Sequence, residues 1–157
     1  MKASRNLTLK LAAPADTATI AAMSHELIET GLPWTWTPER VARNLRHPDT
    51  LVLTARDTEQ LAGFAIMQFG EERAHLSLLA VRPDYRRQGV ARRLLEWLTA
   101  SALTAGIASI HLELRETNPG ARRFYLNLGF AETVRIPGYY RGRETAVRML
   151  REIRIKA

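Results

Sequence analysis

The run Leu78-Leu79-Ala80-Val81-Arg82-Pro83-Asp84-Tyr85-Arg86-Arg87-Gln88-Gly89-Val90-Ala91-Arg92-Arg93-Leu94-Leu95-Glu96-Trp97-Leu98 decides how this chain folds. Its apolar beginning reads as a buried strand that ends at Pro83. A short basic turn holding Gly89 follows. Val90, Ala91, Leu94, Leu95, Leu98 and Ala102 then recur at the spacing of one helix face. A strand that hands the chain to a helix presents the helix's first N–H groups, which have no partner within the helix. Those donors, the positive end of the helix dipole and the guanidinium groups of Arg86 and Arg87 suit an anion, most naturally a phosphate. Gly89 lets the backbone approach such a ligand or take a positive φ.

On the N-terminal side, Leu7-Thr8-Leu9-Lys10-Leu11 alternates like a strand. Pro14 and Asp16 open a helical stretch through Ile20, Met23, Leu27 and Ile28, which Gly31 ends. Residues 32–38 form a loop carrying Trp34 and Trp36. Thr37 and Pro38 are the N-cap and first residue of a second helix, which stops near His47-Pro48. Residues 50–55 and 61–67 read as a hairpin around the polar turn 56–60, and 75–81 is the next strand. Beyond the long helix, Ile107 to Leu114 is a strand, and the two strands flanking that helix should be parallel. Asn118-Pro119 starts a further helix that ends at Gly129. Residues 130–136 and 145–153 are the last strands, separated by a loop at 137–142.

The expected fold is therefore mixed α/β in a single domain spanning 1–157, ordered β-α-α-β-β-β-α-β-α-β-β. The 157 residues can bury a full core, and 46% hydrophobic content suits a soluble globular protein. No apolar run approaches the roughly 20 residues that span a bilayer. Met1 to Asn6 lacks an apolar signal core, so a cytoplasmic protein without membrane association is expected. The chain has no cysteine, which excludes disulfides, thiolate metal sites and a cysteine nucleophile. Any thiol chemistry has to come from a cofactor. The histidines are scattered, and no metal site is expected. A net charge of +7 raises nucleic acid as a ligand. The basic residues are dispersed and mostly arginine, however, so a polyanionic small molecule or an acidic partner surface fits better than a primary nucleic-acid ligand. P-loop, dinucleotide-binding and nucleophile-elbow motifs are missing.

Arg86, Gly89 and Ala91 fill the pattern [Arg/Gln]-x-x-Gly-x-[Gly/Ala]. Asn118, Tyr125 and Leu128-Gly129-Phe130 follow about 30 residues later. Together these segments resemble the GNAT superfamily of N-acetyltransferases. Leu32-Pro33-Trp34, Leu112-Glu113-Leu114-Arg115, Tyr139-Tyr140, Gly142-Arg143-Glu144 and Met149 are similar to the ribosomal-protein alanine N-acetyltransferases within it. The likeness thins in the first helix and around Trp36-Thr37-Pro38, and Arg141 stands where that family commonly has a proline.

The resemblance implies a central mixed sheet of about seven strands with helices on both faces. It implies acetyl-CoA as co-substrate, gripped by Arg86, Arg87, Gln88, Gly89, Val90 and Ala91 at its pyrophosphate. Leu79, Ala80, Val81, Asn118 and Tyr125 would line the coenzyme arm. It further implies Tyr125 as general acid toward the leaving thiolate and Glu113 as general base toward the attacking amine, with a water chain as the alternative base. Packing beside Phe124 and pairing with Arg115 are the structural alternatives for these two residues. Trp34, Trp36, Tyr139 and Tyr140 would border the acceptor, a protein or peptide N-terminus. A free small amine stays open as acceptor, as do a homodimer and a non-catalytic coenzyme-binding or RNA-binding module.

Overall fold

The computed structural model describes residues 7–58 and 60–154. The hexapeptide 1–6 and Glu59 of the 56–60 turn, on which two of the readings above fall, lie outside the described residues. The chain runs β1 (Thr8–Leu11), α1 (Thr17–Leu27), α2 (Pro38–Arg46), β2 (Thr50–Asp57), β3 (Gln60–Phe69), β4 (Arg73–Val81), α3 (Val90–Thr104), β5 (Ser109–Arg115), α4 (Pro119–Asn127), β6 (Ala131–Tyr140) and β7 (Glu144–Glu152). One-turn 3₁₀ helices at Pro14–Asp16 and Pro83–Tyr85 precede α1 and the turn into α3.

Local chemistry accounts for the helix starts. Thr37 accepts a hydrogen bond from the Arg40 N–H and Asn118 accepts one from the Ala121 N–H, each followed by proline at the first helical position. Gly89 caps α3 at φ 77°, a left-handed conformation that costs any other residue. Among the described residues no helix is long and apolar enough to cross a membrane.

The strands form one seven-stranded sheet in the order β1-β2-β3-β4-β5-β7-β6. All neighbours are antiparallel except β4 and β5, which the α3 crossover makes parallel. One apolar cluster unites Met67, Leu76, Ile110 and Leu112 of the sheet with Leu94 and Leu98 of α3 and Tyr125 of α4. On the other face, Phe64, Ile66, Leu78 and Ala80 meet Ile20 and Met23 of α1 and Val41 of α2. Helices cover both faces.

β6 departs from the sequence reading. It continues to Tyr140 and takes in Pro137 and Gly138, which were expected to be loop. The register shifts between Ile136 and Tyr140, and Gly138 sits at φ 69°. A bulged edge strand tolerates a proline because its missing N–H faces no partner strand.

Two irregularities in β4 set up the site. Ile66 pairs with Leu78 while Met67 pairs with Leu76, leaving Ser77 as the extra residue of a β-bulge. The bulge flips the strand: Ala74 and Leu76 point to the α3 side, Leu78 and Ala80 to the α1 side. In addition, β4 pairs with β5 only from Arg73↔Ser109 to His75↔His111. Past that point β4 keeps β3 as far as Val81↔Gly63, and β5 keeps β7 as far as Arg115↔Ala146. The sheet opens between them.

Gly63 holds one wall of this opening. A Cβ there would lie 2.7 Å from the Ala80 carbonyl oxygen, a backbone atom with nowhere to go. Gly63→Ala is expected to cost about 1–3 kcal/mol of unfolding free energy in urea titrations by forcing β4 away from β3. A parent-like midpoint would show that β4 gives way freely.

Candidate active site

The opening between β4 and β5 is the floor of a cleft of about 800 Å³. Leu79, Ala80 and Val81 line one wall, Leu112, Glu113 and Leu114 the other. Arg86, Ala91, Asn118 and Tyr125 border the end nearest the helix starts. Trp36, Arg40, Gln68, Tyr139 and Tyr140 border the rest.

At the α3 end, the turn from Arg86 to Gly89 is exposed, and Arg87 joins Gly89 in the positive-φ region at 61°. The backbone N–H groups from Arg87 to Arg92 have no protein acceptor among the described residues. The Arg86 Nε donates to the Val81 carbonyl at 3.2 Å, which folds this guanidinium back onto the cleft wall. Consecutive free donors at a helix N-terminus form a ready cradle for an anion. Gln88 Nε2 donates to the Asp84 carbonyl and braces the turn. Arg92 and Arg93 take no part: Arg92 pairs with Glu96 one helical turn on, and Arg93 donates to the Leu7 carbonyl.

Tyr125 is 8% exposed, edge-on to Phe124 and Phe130, with its ring in the α3-side core and a place in the cleft lining. No hydrogen-bond partner for its hydroxyl occurs among the described residues, and burial pushes the phenol well above its ordinary value. The hydroxyl is therefore protonated throughout the physiological range. It can donate a hydrogen bond to an atom on which negative charge develops.

Glu113 projects from β5 on the other face of the sheet, with 10% of its side chain exposed. Its Oε1 accepts from His75 Nε2 at 2.7 Å and from the Tyr139 hydroxyl at 3.3 Å, and its Oε2 accepts from Arg148 Nε at 3.1 Å. The hydrogen bond from His75, helped by Arg148, brings its pKa down to about 2 against the pull of burial. Arg115, the partner weighed from sequence, instead pairs with Glu144 at 3.5 Å. Glu113 is thus a standing anion; a proton released by an amine with a pKa near 8 has no resting place on it.

A second carboxylate was not singled out from sequence. Glu29, just beyond α1, is 6% exposed and accepts from the N–H groups of Thr35 and Trp36 and from the hydroxyls of Thr35 and Ser24. It pins the loop that carries Trp36 into the cleft. The Arg40 guanidinium stacks 3.8 Å above the Trp36 ring. The two tryptophans part company here. Trp34 stands outside the cleft, 43% exposed, with its indole N–H on the Ala21 carbonyl and its ring against His25. Tyr139 and Tyr140 pack edge to face and also line the cleft.

Among the described residues no group of three or more His, Asp or Glu could hold a metal ion. His75, Ser77, Arg148, Glu29 and Arg40 are the site members that sequence reading did not select. Alternation along β4 and β5 could have placed His75 and Glu113 on one face. Their contact depends on those strands being neighbours.

An anion cradle at a helix start, parted strands and a carboxylate facing the gap thus meet in one cleft. The acetyltransferase (GNAT) family model matches residues 20–130. The chain belongs to that family. The [ribosomal protein bS18]-alanine N-acetyltransferase of Escherichia coli K12 is 42% identical over 93 residues, which cover 57% of this chain and 63% of that relative. The crystal structure of the ribosomal-protein-S18-alanine N-acetyltransferase from Escherichia coli superposes with a TM-score of 0.84 at 30% identity, covering 97% of each chain. Arabidopsis thaliana NAA60 in complex with acetyl-CoA shares the fold, with a TM-score of 0.83 at 16% identity over 94% of this chain and 99% of that one.

The depressed pKa of Glu113 has a stability consequence. Folding lowers this carboxyl from near 4.5 to about 2, so its stabilisation is complete above the unfolded value and lost as pH falls toward 2. The difference in unfolding free energy between the parent and Glu113→Gln should shrink by about 2–3 kcal/mol between pH 6 and pH 2. Urea titrations across that range measure it, and a pH-independent difference would contradict the pairing.

Proposed function

We propose that this chain is an acetyl-CoA-dependent N-acetyltransferase that acts on the α-amine of a protein N-terminus, of the ribosomal-protein alanine type. One observation carries the reading. A single cleft joins an anion cradle at the start of α3 to a carboxylate between β4 and β5, in a family member 42% identical over 93 residues to an alanine N-acetyltransferase. Acetyl-CoA brings an activated acetyl thioester, and the cysteine-free chain supplies no thiol of its own.

The fit is good at each point where this chain would meet it. The N–H groups of 87–92 and the guanidinium of Arg86 suit the pyrophosphate. The main chain of β4 beyond His75 lacks a β5 partner, and alternation turns Leu79 and Val81 away from β3, so the Leu79 N–H and carbonyl and the Val81 N–H suit an extended amide-bearing arm. Asn118 and Ala121 at the start of α4 border the same arm. Tyr125 acts as hydrogen-bond donor to the leaving sulfur. Its raised pKa keeps the proton on the phenol until negative charge develops. The Glu113 anion favours the positive charge that develops on the attacking nitrogen, and an α-amine with a pKa near 8 is already deprotonated in substantial part. Trp36, Tyr139 and Tyr140 border the groove in which the first acceptor residues lie.

A free small amine as acceptor would use the same coenzyme site. The rings of Trp36, Tyr139 and Tyr140 on the cleft lining favour a peptide, whose first residues they can flank. The deciding experiment is acetyl transfer to short peptides with free Ala or Ser ends, set against spermidine and free amino acids. Peptide turnover is expected; turnover of small amines alone would overturn the N-terminal reading. Tyr125→Phe is expected to lower kcat about 10²-fold while calorimetric affinity for coenzyme A stays within about twofold. Unchanged kcat would remove Tyr125 from the chemistry.

A further inference from the structure

Glu113 is one end of a longer arrangement. His75 Nε2 lies 2.7 Å from Glu113 Oε1, and His75 Nδ1 lies 3.2 Å from the Ser77 hydroxyl oxygen. Because Glu113 is an anion that can only accept, Nε2 must carry the hydrogen of that contact. In the neutral ring Nδ1 then keeps its lone pair and can accept from Ser77. Ser77 is the extra residue of the β4 bulge, at the point where β4 leaves β5. His75, Ser77 and Glu113 all line the cleft. Hydroxyl, imidazole and carboxylate thus stand in line, with the hydroxyl where the strands part.

We propose that Ser77, His75 and Glu113 form the proton path of the transfer reaction, with His75 Nδ1 as the acceptor and Glu113 as the anion that orients and stabilises the imidazolium. This rests on the acetyltransferase reading above and assigns the base within it. As the amine nitrogen bonds to the acetyl carbon and the carbon–sulfur bond breaks, the nitrogen's surplus proton passes to the Ser77 oxygen. Ser77 gives its own proton to Nδ1. The thiolate is reprotonated from the Tyr125 side and ultimately from solvent, and the imidazolium returns its proton to solvent, so amine and thioester become amide and thiol without other reactants. Besides Glu113, the charged and titratable groups around this imidazole are His111 on β5, Arg148 on β7, Tyr139 on β6 and Arg73 on β4, with Glu29 and Arg40 across the cleft.

The test is the pH dependence of acetyl transfer to an Ala-ending peptide by His75→Ala and Ser77→Ala. At pH 7, His75→Ala is expected to lose about 10²-fold in kcat and Ser77→Ala about tenfold, with both KM values within about threefold of the parent. The losses should shrink to a few-fold near pH 9.5, where the amine is free without help. Added imidazole should restore about tenfold to His75→Ala and nothing to Ser77→Ala. Parental kcat in both variants, or an equal loss at every pH without imidazole rescue, overturns the path. A parental Ser77→Ala beside a rescued His75→Ala overturns the hydroxyl step. Long-range ¹H–¹⁵N spectra of the free protein at pH 8 give a readout independent of turnover. The Nε2–H tautomer of His75 is expected, and an Nδ1–H tautomer overturns the inference. If the parent acetylates no amine at all, the functional reading fails, and the tautomer alone then decides the state of His75.

Discussion

The constraint on which the molecule depends is the early end of pairing between β4 and β5. Three register positions join them, and then each strand follows its outer neighbour. Main-chain donors and acceptors on the facing edges are left unpaired within one sheet, a state that water or a ligand has to satisfy. The bulge at Ser77 belongs to the same event. It adds a residue to β4 at the point of departure, turns the side chains of the strand to the opposite faces, and brings a hydroxyl beside the imidazole two residues earlier. Gly63 completes the device from behind by admitting the Ala80 carbonyl at a distance no other residue allows.

Charge in the chain is arranged around this gap with an economy that the net value of +7 conceals. The two carboxylates that line the cleft are held by donors, Glu113 by His75, Tyr139 and Arg148, and Glu29 by backbone and hydroxyl groups. Other arginines form peripheral pairs, such as Arg122 with Glu132 and Arg135 with Glu116. Exposed pairs of that kind contribute little to stability. The N-terminus of α3 also faces the cleft, and there unpaired backbone N–H groups do the work of cations.

Legibility in the sequence follows the range of the interactions. Thr37, Asn118 and Gly89 mark helix starts through contacts within a few residues, and each does so in the structure. The apolar spacing of α3 likewise predicts its buried face. The end of β6 was misread because Pro137-Gly138 is ordinarily loop chemistry; only its place at the sheet edge, a non-local fact, permits a bulged strand there. Glu113 and Tyr125 came from resemblance to a family motif, and both lie on the cleft. Of the tryptophans, Trp36 does and Trp34 does not, because Glu29 draws the Trp36 backbone inward while the Trp34 indole turns back to α1.

On the proposed function, the same division separates the two substrates. The coenzyme end is built from one continuous stretch, β4 through the first turn of α3, with α4 added, so its residues can be read from a short motif. The acceptor end draws on the loop after α1, on α2, on β3, β4 and β5, and on the far end of β6. Every one of those contributions depends on strand order. A change of acceptor therefore needs only side-chain substitutions at scattered positions such as Trp36, Arg40, Tyr139 and Arg141, none of which touches the β4–β5 gap's backbone. The family can keep one donor site and one opening in the sheet while its members diverge in the amine they receive. In this chain the Ser77 bulge lies on that cleft at the point where β4 leaves β5, so the backbone that opens the sheet also carries the hydroxyl of the proposed proton path.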